Sequence, residues 1–345
     1  MGNILEGKTI LVTGGTGSIG SEIVRQALEQ GVNRVIVFSR DEIKQFMMKK
    51  NISDNRLETV VGDVRDLRGM GQVFDRFDID IIYHAAAMKH VVMCEDYPLE
   101  AVRTNIVGTK NVVDLALKYQ VPTMITISTD KVAYPVNVMG ATKSIAERIT
   151  LNAQKISRRE QSFSCVRFGN VANSRGSVIN VYIANLLNRK PPEVSDPEAT
   201  RFNMEISDAV NLVIKATKYA QGGEIFILKM KAFKLGDLVD VILTRIAPRL
   251  NIPKEDIEFN VTGLVQGEKL HEDLINQAEC SRIYTLDDMY VLLPDNESRA
   301  KYPAISTVTL STYSSNSVEL ISQEDIERIV LKYLESYGPH KGVLL

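Results

Sequence analysis

Residues 8–20 read KTILVTGGTGSIG. A short β-branched run ends in glycines, and Ile19, Ile23, Val24, Ala27 and Leu28 then recur at helical spacing. Strand, glycine turn and helix in that order open a βαβ unit. Gly14, Gly17 and Gly20 stand as G-x-x-G-x-x-G at the turn. A pyrophosphate lying on backbone N–H groups at a helix N-terminus must come closer than a Cβ allows, and the last glycine lets helix and strand pack. The stretch predicts a dinucleotide site at the first turn of the fold; the competing reading is a tight turn with no ligand.

Outward from this unit the pattern repeats. Apolar strand-like runs at 34–39, 57–62, 79–83, 123–128 and 163–168 alternate with helical patterns at 41–50, 66–77, 98–119 and 141–154. Strands apolar on both faces, separated by helices, predict a parallel sheet covered on both sides. The fold class expected is α/β, a Rossmann-type doubly wound parallel sheet. After Gly169 the loops lengthen, Pro191-Pro192 and Asp196-Pro197 punctuate them, and short elements at 178–190, 207–221, 224–229 and 235–248 predict a smaller mixed C-terminal substrate lobe. The expected division is 1–170 for the nucleotide-binding domain and 171–345 for the lobe, with some elements free to return to the first sheet. A closing helix is expected over 322–335, with Ser322 as its cap and Glu324, Asp325 and Glu327 at the positive end of its dipole.

Composition narrows the partners. The chain has 345 residues, 44% hydrophobic and 24% charged, with net charge −2, so it lacks the basic field of a nucleic-acid binder. Cys94, Cys165 and Cys280 are far apart, with no CxxC and no His/Cys cluster. No metal site is expected, and the thiols read as free in a reducing compartment. No signal-peptide layout and no apolar run of about 20 residues is present, which predicts a soluble, cytoplasmic protein with no membrane partner.

The strand ends carry chemistry. Along the glycine turn, Gly14, Thr16, Gly17, Ser18, Ile19 and Gly20 are the candidate cofactor contacts. After the second strand stand Ser39, Arg40 and Asp41. Arg40 and Ser39 suit a 2′-phosphate by charge and hydrogen bonding, which favours NADP. Asp41 sits slightly late for the ribose role of an NAD site yet can take it, so NAD remains the alternative. Lys44 reads equally as a second phosphate contact or as part of a solvated helix face. Asp63, with Val64 beside it, follows the third strand and reads as an adenine contact or as a helix N-cap. Ala85, Ala86 and Ala87 follow the fourth strand, where small residues let a cofactor lie close to the backbone.

In order, TGGTGSIG, SRDE, GDVRD, HAAAMKHV, TNIVGT, STDK, MGATK, RFGNV and GEKLHE resemble the UDP-N-acetylglucosamine 4,6-dehydratases, which are extended short-chain dehydrogenases. The similarity runs from about residue 5 to about residue 272. It implies a lyase with a bound, recycled NADP or NAD, acting on UDP-N-acetylglucosamine (UDP-GlcNAc). C4 is oxidised, C5 loses a proton as the C6 hydroxyl leaves, and hydride returns to C6, giving a UDP-4-keto-6-deoxy sugar. The resemblance assigns Asp130 as the acid at C6 and Lys131 as the base at C5; a plain ion pair is the competing reading. An acid there needs a raised pKa and a base a lowered one. Thr129 or Ser128 binds the C4 oxygen, Lys143 the nicotinamide ribose, and Asn105 joins the cofactor residues. Lys89, Met139, Asn170, Arg175, Arg201 and Glu268 are the candidate substrate contacts, and a surface salt bridge is the default for either arginine alone. His90 reads as structural rather than as a proton carrier. A homo-oligomer is implied.

One position departs from many relatives. Four residues before Lys143, where a catalytic tyrosine is common, this chain has Met139. A thioether carries no proton. Met there resembles the larger membrane-anchored dehydratases, whereas SRDE resembles the smaller ones. Asp130 or Lys131, directly or through Thr129 and a water, is expected to take the O4 proton; Tyr134 is the other candidate. Val265-Gln266 replaces an Arg-Pro of the family, which removes one nucleotide contact. A UDP-sugar epimerase and a non-catalytic dinucleotide binder are the competing functions.

Overall fold

The computed structural model describes residues 3–158, 160–172, 177–253, 259–302 and 304–337. It divides into two compact units, each assembled from three stretches of chain. The first unit draws on Met1–Phe168, Ser207–Lys229 and Leu274–Thr312. Its parallel core alternates as expected: β1 (Thr9–Thr13), α1 (Ser18–Glu29), β2 (Arg34–Ser39), α2 (Glu42–Asn51), β3 (Leu57–Val61), α3 (Leu67–Arg76) and β4 (Ile81–His84). Then come the short helices α4 (Val91–Asp96) and α5 (Pro98–Ala101), followed by α6 (Gly108–Lys118), β5 (Thr123–Ile127), α7 (Val138–Ile156) and β6 (Ser162–Arg167). The single helix expected over 98–119 is broken by a π-helical turn at Val102–Val107. Such turns insert a residue into the helical ladder and re-aim side chains; this one carries Asn105.

The sheet has ten strands, ordered Ser306–Thr307, Ile283–Leu286, Met289–Leu292, Ile225–Leu228, β6, β5, β4, β1, β2, β3. From Ile225–Leu228 to β3 all neighbours are parallel, and the last hairpin joins antiparallel. The lobe is thus not the continuous stretch 171–345. The run at 224–229, expected there, is a seventh parallel strand, with Ile225 opposite Cys165 and Phe226 opposite Val166. All four of its residues are buried, which suits a central strand and not a lobe edge. The helix Ile206–Tyr219 also belongs largely here: Gln26 donates to Ser207 O (2.9 Å), and Tyr83 OH bonds Thr217 Oγ1 (3.0 Å).

α2 is turned inside out. It buries Gln45, which donates from Nε2 to Ser39 O, Ser39 Oγ and Val60 O at 2.9 Å each, and leaves Ile43, Phe46 and Met47 exposed. The polar contact with the ends of β2 and β3, not apolar burial, orients this helix.

The second unit comprises Gly169–Ile206, Met230–Asp273 and Tyr313–Leu345. Its three-stranded sheet is ordered Lys231–Lys234, Thr200–Met204, Asn170–Val171. Ile179, Ile183 and Leu186 of one helix, Leu238, Ile242 and Ile246 of another, and Ile326, Val330 and Tyr333 of the closing helix form one apolar core. The closing helix spans Gln323–Tyr337, and Ser322 Oγ accepts from Asp325 N (3.1 Å), so Ser322 caps it as expected.

Candidate functional site

The N-terminus of α1 differs from those that follow β2 and β3. Asp41 caps α2 by accepting from Lys44 N, and Asp66 caps α3 by accepting from Arg68 N and Gly69 N. α1 begins at Gly17 with no side-chain cap and no acidic residue in its first turn. Its positive end is left for an anion from outside the chain. The glycines around it have no room for a side chain. Gly14 has φ +66°, and a Cβ there would lie 2.7 Å from Ala86 N. At Gly20 a Cβ would lie 2.3 Å from Gly14 O. Gly14 and Gly20 thus tolerate no larger residue, and close-lying backbone beside an uncapped helix end is the arrangement a dinucleotide phosphate needs. The residues present fit such a cofactor.

The ends of β2 and β3 hold the next group. Ser39 Oγ is buried and accepts from Thr16 Oγ1 (3.1 Å) and Gln45 Nε2 (2.9 Å). Gln45 was not singled out by the sequence; a neutral polar residue between Lys44 and Phe46 is its faint signal. Arg40 is exposed, 3.8 Å from Asp63. Asp63 is not a helix cap: Asp66 has that place, and Asp63 accepts from Arg65 N (3.0 Å) and Arg65 Nε (2.8 Å). Burial pushes its carboxyl up, but Arg65 and then Arg40 more than offset this and hold it below the usual range. Asp41 is drawn into capping and into an ion pair with Lys44 (2.6 Å), which gives Lys44 a partner on its own helix. Val64 is buried, and its carbonyl accepts from Asn111 Nδ2 (2.9 Å).

Ala85 and Ala86 are half-buried and Ala87 is exposed. Asn105, from the π-helical turn, fixes this segment. It accepts from Met88 N (2.8 Å) and donates to Met88 O and Thr142 Oγ1 (3.0 Å each). Asn105 thereby shapes the loop that follows β4. Lys89 and His90 are exposed at its end.

Beyond β5, the chain turns at Thr129 into a short helix, Asp130–Val132. Asp130 is fully buried. Its Oδ1 accepts from Thr129 Oγ1 (2.7 Å) and Lys131 Nζ (3.0 Å), while its Oδ2 has no partner among the described residues. The neighbouring Ser128 Oγ is likewise buried without a partner there. Unsatisfied buried oxygens are rare, and each calls for an explanation such as a water, an ion or a catalytic role. Lys143, on α7, is buried and donates to Ile127 O at 2.6 Å, tying the helix to the end of β5. Burial lowers its pKa, against the opposing pull of Cys165 and Glu147. Met139 is buried with Cys94 and Ala101 in a small apolar cluster lined by Met88, Val91 and Val138. Tyr134 is exposed, and its hydroxyl accepts from Gln277 N (2.9 Å).

Arg167, at the end of β6, makes paired bonds to Glu147 and to Glu279 (2.8–2.9 Å) and donates to Leu274 O. In the second unit, Arg201 and Glu268 bond each other at 2.6 Å, and Arg201 also donates to Thr200 O and Leu270 O. Two residues expected to meet substrate thus neutralise one another. Asn170 starts a strand opposite Asn203. Arg175 lies outside the described residues.

Comparison with known proteins places this arrangement. The crystal structure of Pen from Bacillus thuringiensis superimposes with a TM-score of 0.87 at 34% identity, covering 95% of this chain and 98% of that one. The dTDP-glucose 4,6-dehydratase DesIV from Streptomyces venezuelae, solved with NAD, has a TM-score of 0.71 over 96% of this chain and 98% of its own, at 19% identity. The α/β fold with its large parallel sheet is the one these structures share. A UDP-glucose 4-epimerase of Rickettsia canadensis is 33% identical over 94% of this chain and 95% of its own length. An uncharacterized membrane protein of Methanocaldococcus jannaschii, MJ1061, is 41% identical over 95% and 96%. Among the described residues no helix is long and apolar enough to cross a membrane. The chain belongs to the polysaccharide biosynthesis protein family, whose pattern matches residues 10–294.

Proposed function

We propose that this chain is a nucleotide-sugar 4,6-dehydratase acting on UDP-GlcNAc, with NADP preferred to NAD. The observation that carries the reading is the buried Asp130, bonded on one oxygen by Thr129 and Lys131 and bare on the other. A dinucleotide, held by the glycine turn, Ser39, Arg40, the Ala85–Ala87 segment and Lys143, would take hydride from C4 and return it to C6.

The protein's residues handle the protons. Thr129 donates its hydroxyl proton to Asp130, so its oxygen lone pair is left to accept from a sugar hydroxyl. A proton leaving O4 can pass through Thr129 to Asp130 without a phenol. Asp130, now a carboxylic acid, is then the acid that the C6 hydroxyl needs as it departs as water. Lys131, entering as the free amine, takes the C5 proton and, after exchange of its ammonium protons with solvent, returns a proton to C5. Each proton that arrives also leaves, and Met139 need only fill apolar space. Lys89, Asn170, Arg175, Arg201 and Glu268 remain the candidate substrate contacts in this reading, with the Arg201–Glu268 pair opening if Arg201 is to meet the diphosphate.

A second reading is 4-epimerisation, favoured by the Rickettsia relative's name. An epimerase needs no acid at C6, which is why the Asp130–Lys131 pair supports dehydration. Incubation with UDP-GlcNAc in D2O, followed by proton NMR, separates them. Dehydration gives a new 6-methyl signal with deuterium at C5. Epimerisation gives the C4 epimer with C5 and C6 intact, and that result would overturn the proposal.

A further inference from the structure

His84 ends β4 and is wholly buried, yet both its ring nitrogens are bonded. Nδ1 lies 2.7 Å from Thr13 Oγ1, and Nε2 lies 2.9 Å from Thr109 Oγ1. The direction of each bond follows from the next. Thr109 has one hydroxyl proton, and it is donated to Asn105 O at 2.6 Å. Thr109 can therefore only accept from His84, which puts a proton on Nε2. A neutral ring then has a lone pair on Nδ1, and Thr13 must donate to it. With its proton so directed, Thr13 Oγ1 presents a lone pair to Ala86 N, 3.5 Å away, while Thr13 O accepts from Ala85 N at 3.1 Å. One polar relay thus runs from the π-helical turn, through His84, to the two backbone segments that meet at the glycine turn.

Those segments are the ones on which the dinucleotide is read to lie. Thr13 precedes Gly14, and Gly14 packs on Ala86 so closely that a Cβ would lie within 2.9 Å of three backbone atoms of residues 85 and 86. Sheet register sets Thr13 opposite His84, and past that pair a single backbone bond, Ala85 N to Thr13 O, joins the two segments before Gly14 and Ala86. We propose that His84, neutral and protonated on Nε2, is the positioning residue that holds the Gly14 turn and the Ala85–Ala86 segment at the separation the dinucleotide requires. Doubly protonated, it would turn Thr13 from donor to acceptor and set the hydroxyl proton against Ala86 N–H. Burial, and after it the charge of Lys143, keeps the second proton off.

The inference rests on the dinucleotide reading, and the test keeps the two apart. Full-length protein stripped of bound nucleotide is titrated with NADPH and, separately, NADH, following the cofactor's own fluorescence; the chain has no Trp to interfere. Wild type, Thr13→Val, Thr13→Ser and His84→Gln are compared, with Tm recorded for each. Thr13→Val keeps the shape and removes the donor; we expect its Kd to rise about tenfold, with Thr13→Ser restoring it to within about twofold. Nitrogen-15 NMR of the four histidines, with His84 assigned by its loss in His84→Gln, should show the proton on Nε2 and no titration between about pH 5 and 8. If Thr13→Val and His84→Gln lower Tm but leave Kd unchanged, or if the proton is on Nδ1, the positioning role is wrong. If the wild type binds neither nucleotide, the dinucleotide reading itself fails.

Discussion

Two glycines of the first unit offer a matched pair. Gly7 and Gly14 both have left-handed backbone, with φ of +69° and +66°. An alanine at either must adopt that conformation, at about 1–2 kcal/mol. Around Gly7 a Cβ meets nothing within 4 Å, whereas at Gly14 it meets Ala86 N at 2.7 Å, Ala86 Cα at 2.8 Å and Ala85 C at 2.9 Å. All three are backbone atoms, and relieving them means moving one segment by roughly 0.7 Å. Such overpacking costs about 1–3 kcal/mol. Gly7→Ala should therefore destabilise by about 1–2 kcal/mol and Gly14→Ala by about 2–5 kcal/mol. Equilibrium urea unfolding of both variants, followed by circular dichroism, measures the difference directly, because the conformational term is common to both. A difference under about 0.5 kcal/mol would refute the close packing of the glycine turn on the end of β4, and with it the account of why glycine stands at position 14.

Other expectations follow from the same geometry. Asp130→Asn removes the proton carrier while keeping the shape and should lower turnover of UDP-GlcNAc by about 10²–10⁴-fold in the NMR assay, with UDP-GlcNAc affinity by calorimetry nearly unchanged. Arg167→Leu leaves Glu147 and Glu279 facing each other without their shared cation, and chemical denaturation should register a loss of about 3–5 kcal/mol. Burial, then Lys143, pushes His84 down to about 3 from 6.5. The unfolded chain thus takes the proton first: stability is full above about pH 6.5 and falls on acidification, by about 2 kcal/mol at pH 5. His84→Gln should flatten that part of the stability–pH curve. Met139→Tyr tests the proton route: a many-fold rise in turnover would mean that Thr129 and Asp130 handle the O4 proton poorly, whereas unchanged or lower turnover, with a loss of about 1–3 kcal/mol of stability from overpacking beside Cys94, agrees with the route through Thr129.

The parts of this fold legible in the sequence are those with a local cause. Thr9–Thr13 and the glycines after it announce a strand and a turn because their chemistry acts within a few residues. Asp130 and Lys131 are adjacent, so their pairing could be read directly. What stayed hidden depends on distance along the chain. Ile225–Leu228 is four apolar residues, too short for periodicity to speak, and its partner Cys165 lies far upstream. Arg201 and Glu268 each looked like a free ligand group because nothing local reveals that they meet. Gln45 and His84 were missed for a different reason: a buried polar side chain has no periodic signature, and only its bonds in three dimensions show what it does.

The interleaving of the two units also has a bearing on synthesis. β6 is buried along nearly its whole length, yet the strand that covers its outer edge begins at Ile225, roughly 60 residues later. At about 5–20 residues per second, a ribosome leaves that apolar edge without its neighbour for several seconds. The first sheet is completed only when Ser306–Thr307 emerges. A nascent chain in this interval displays an unprotected template for strand addition. In that interval a chaperone holding the chain, rather than the finished sheet, would keep it from pairing with its neighbours on the same message.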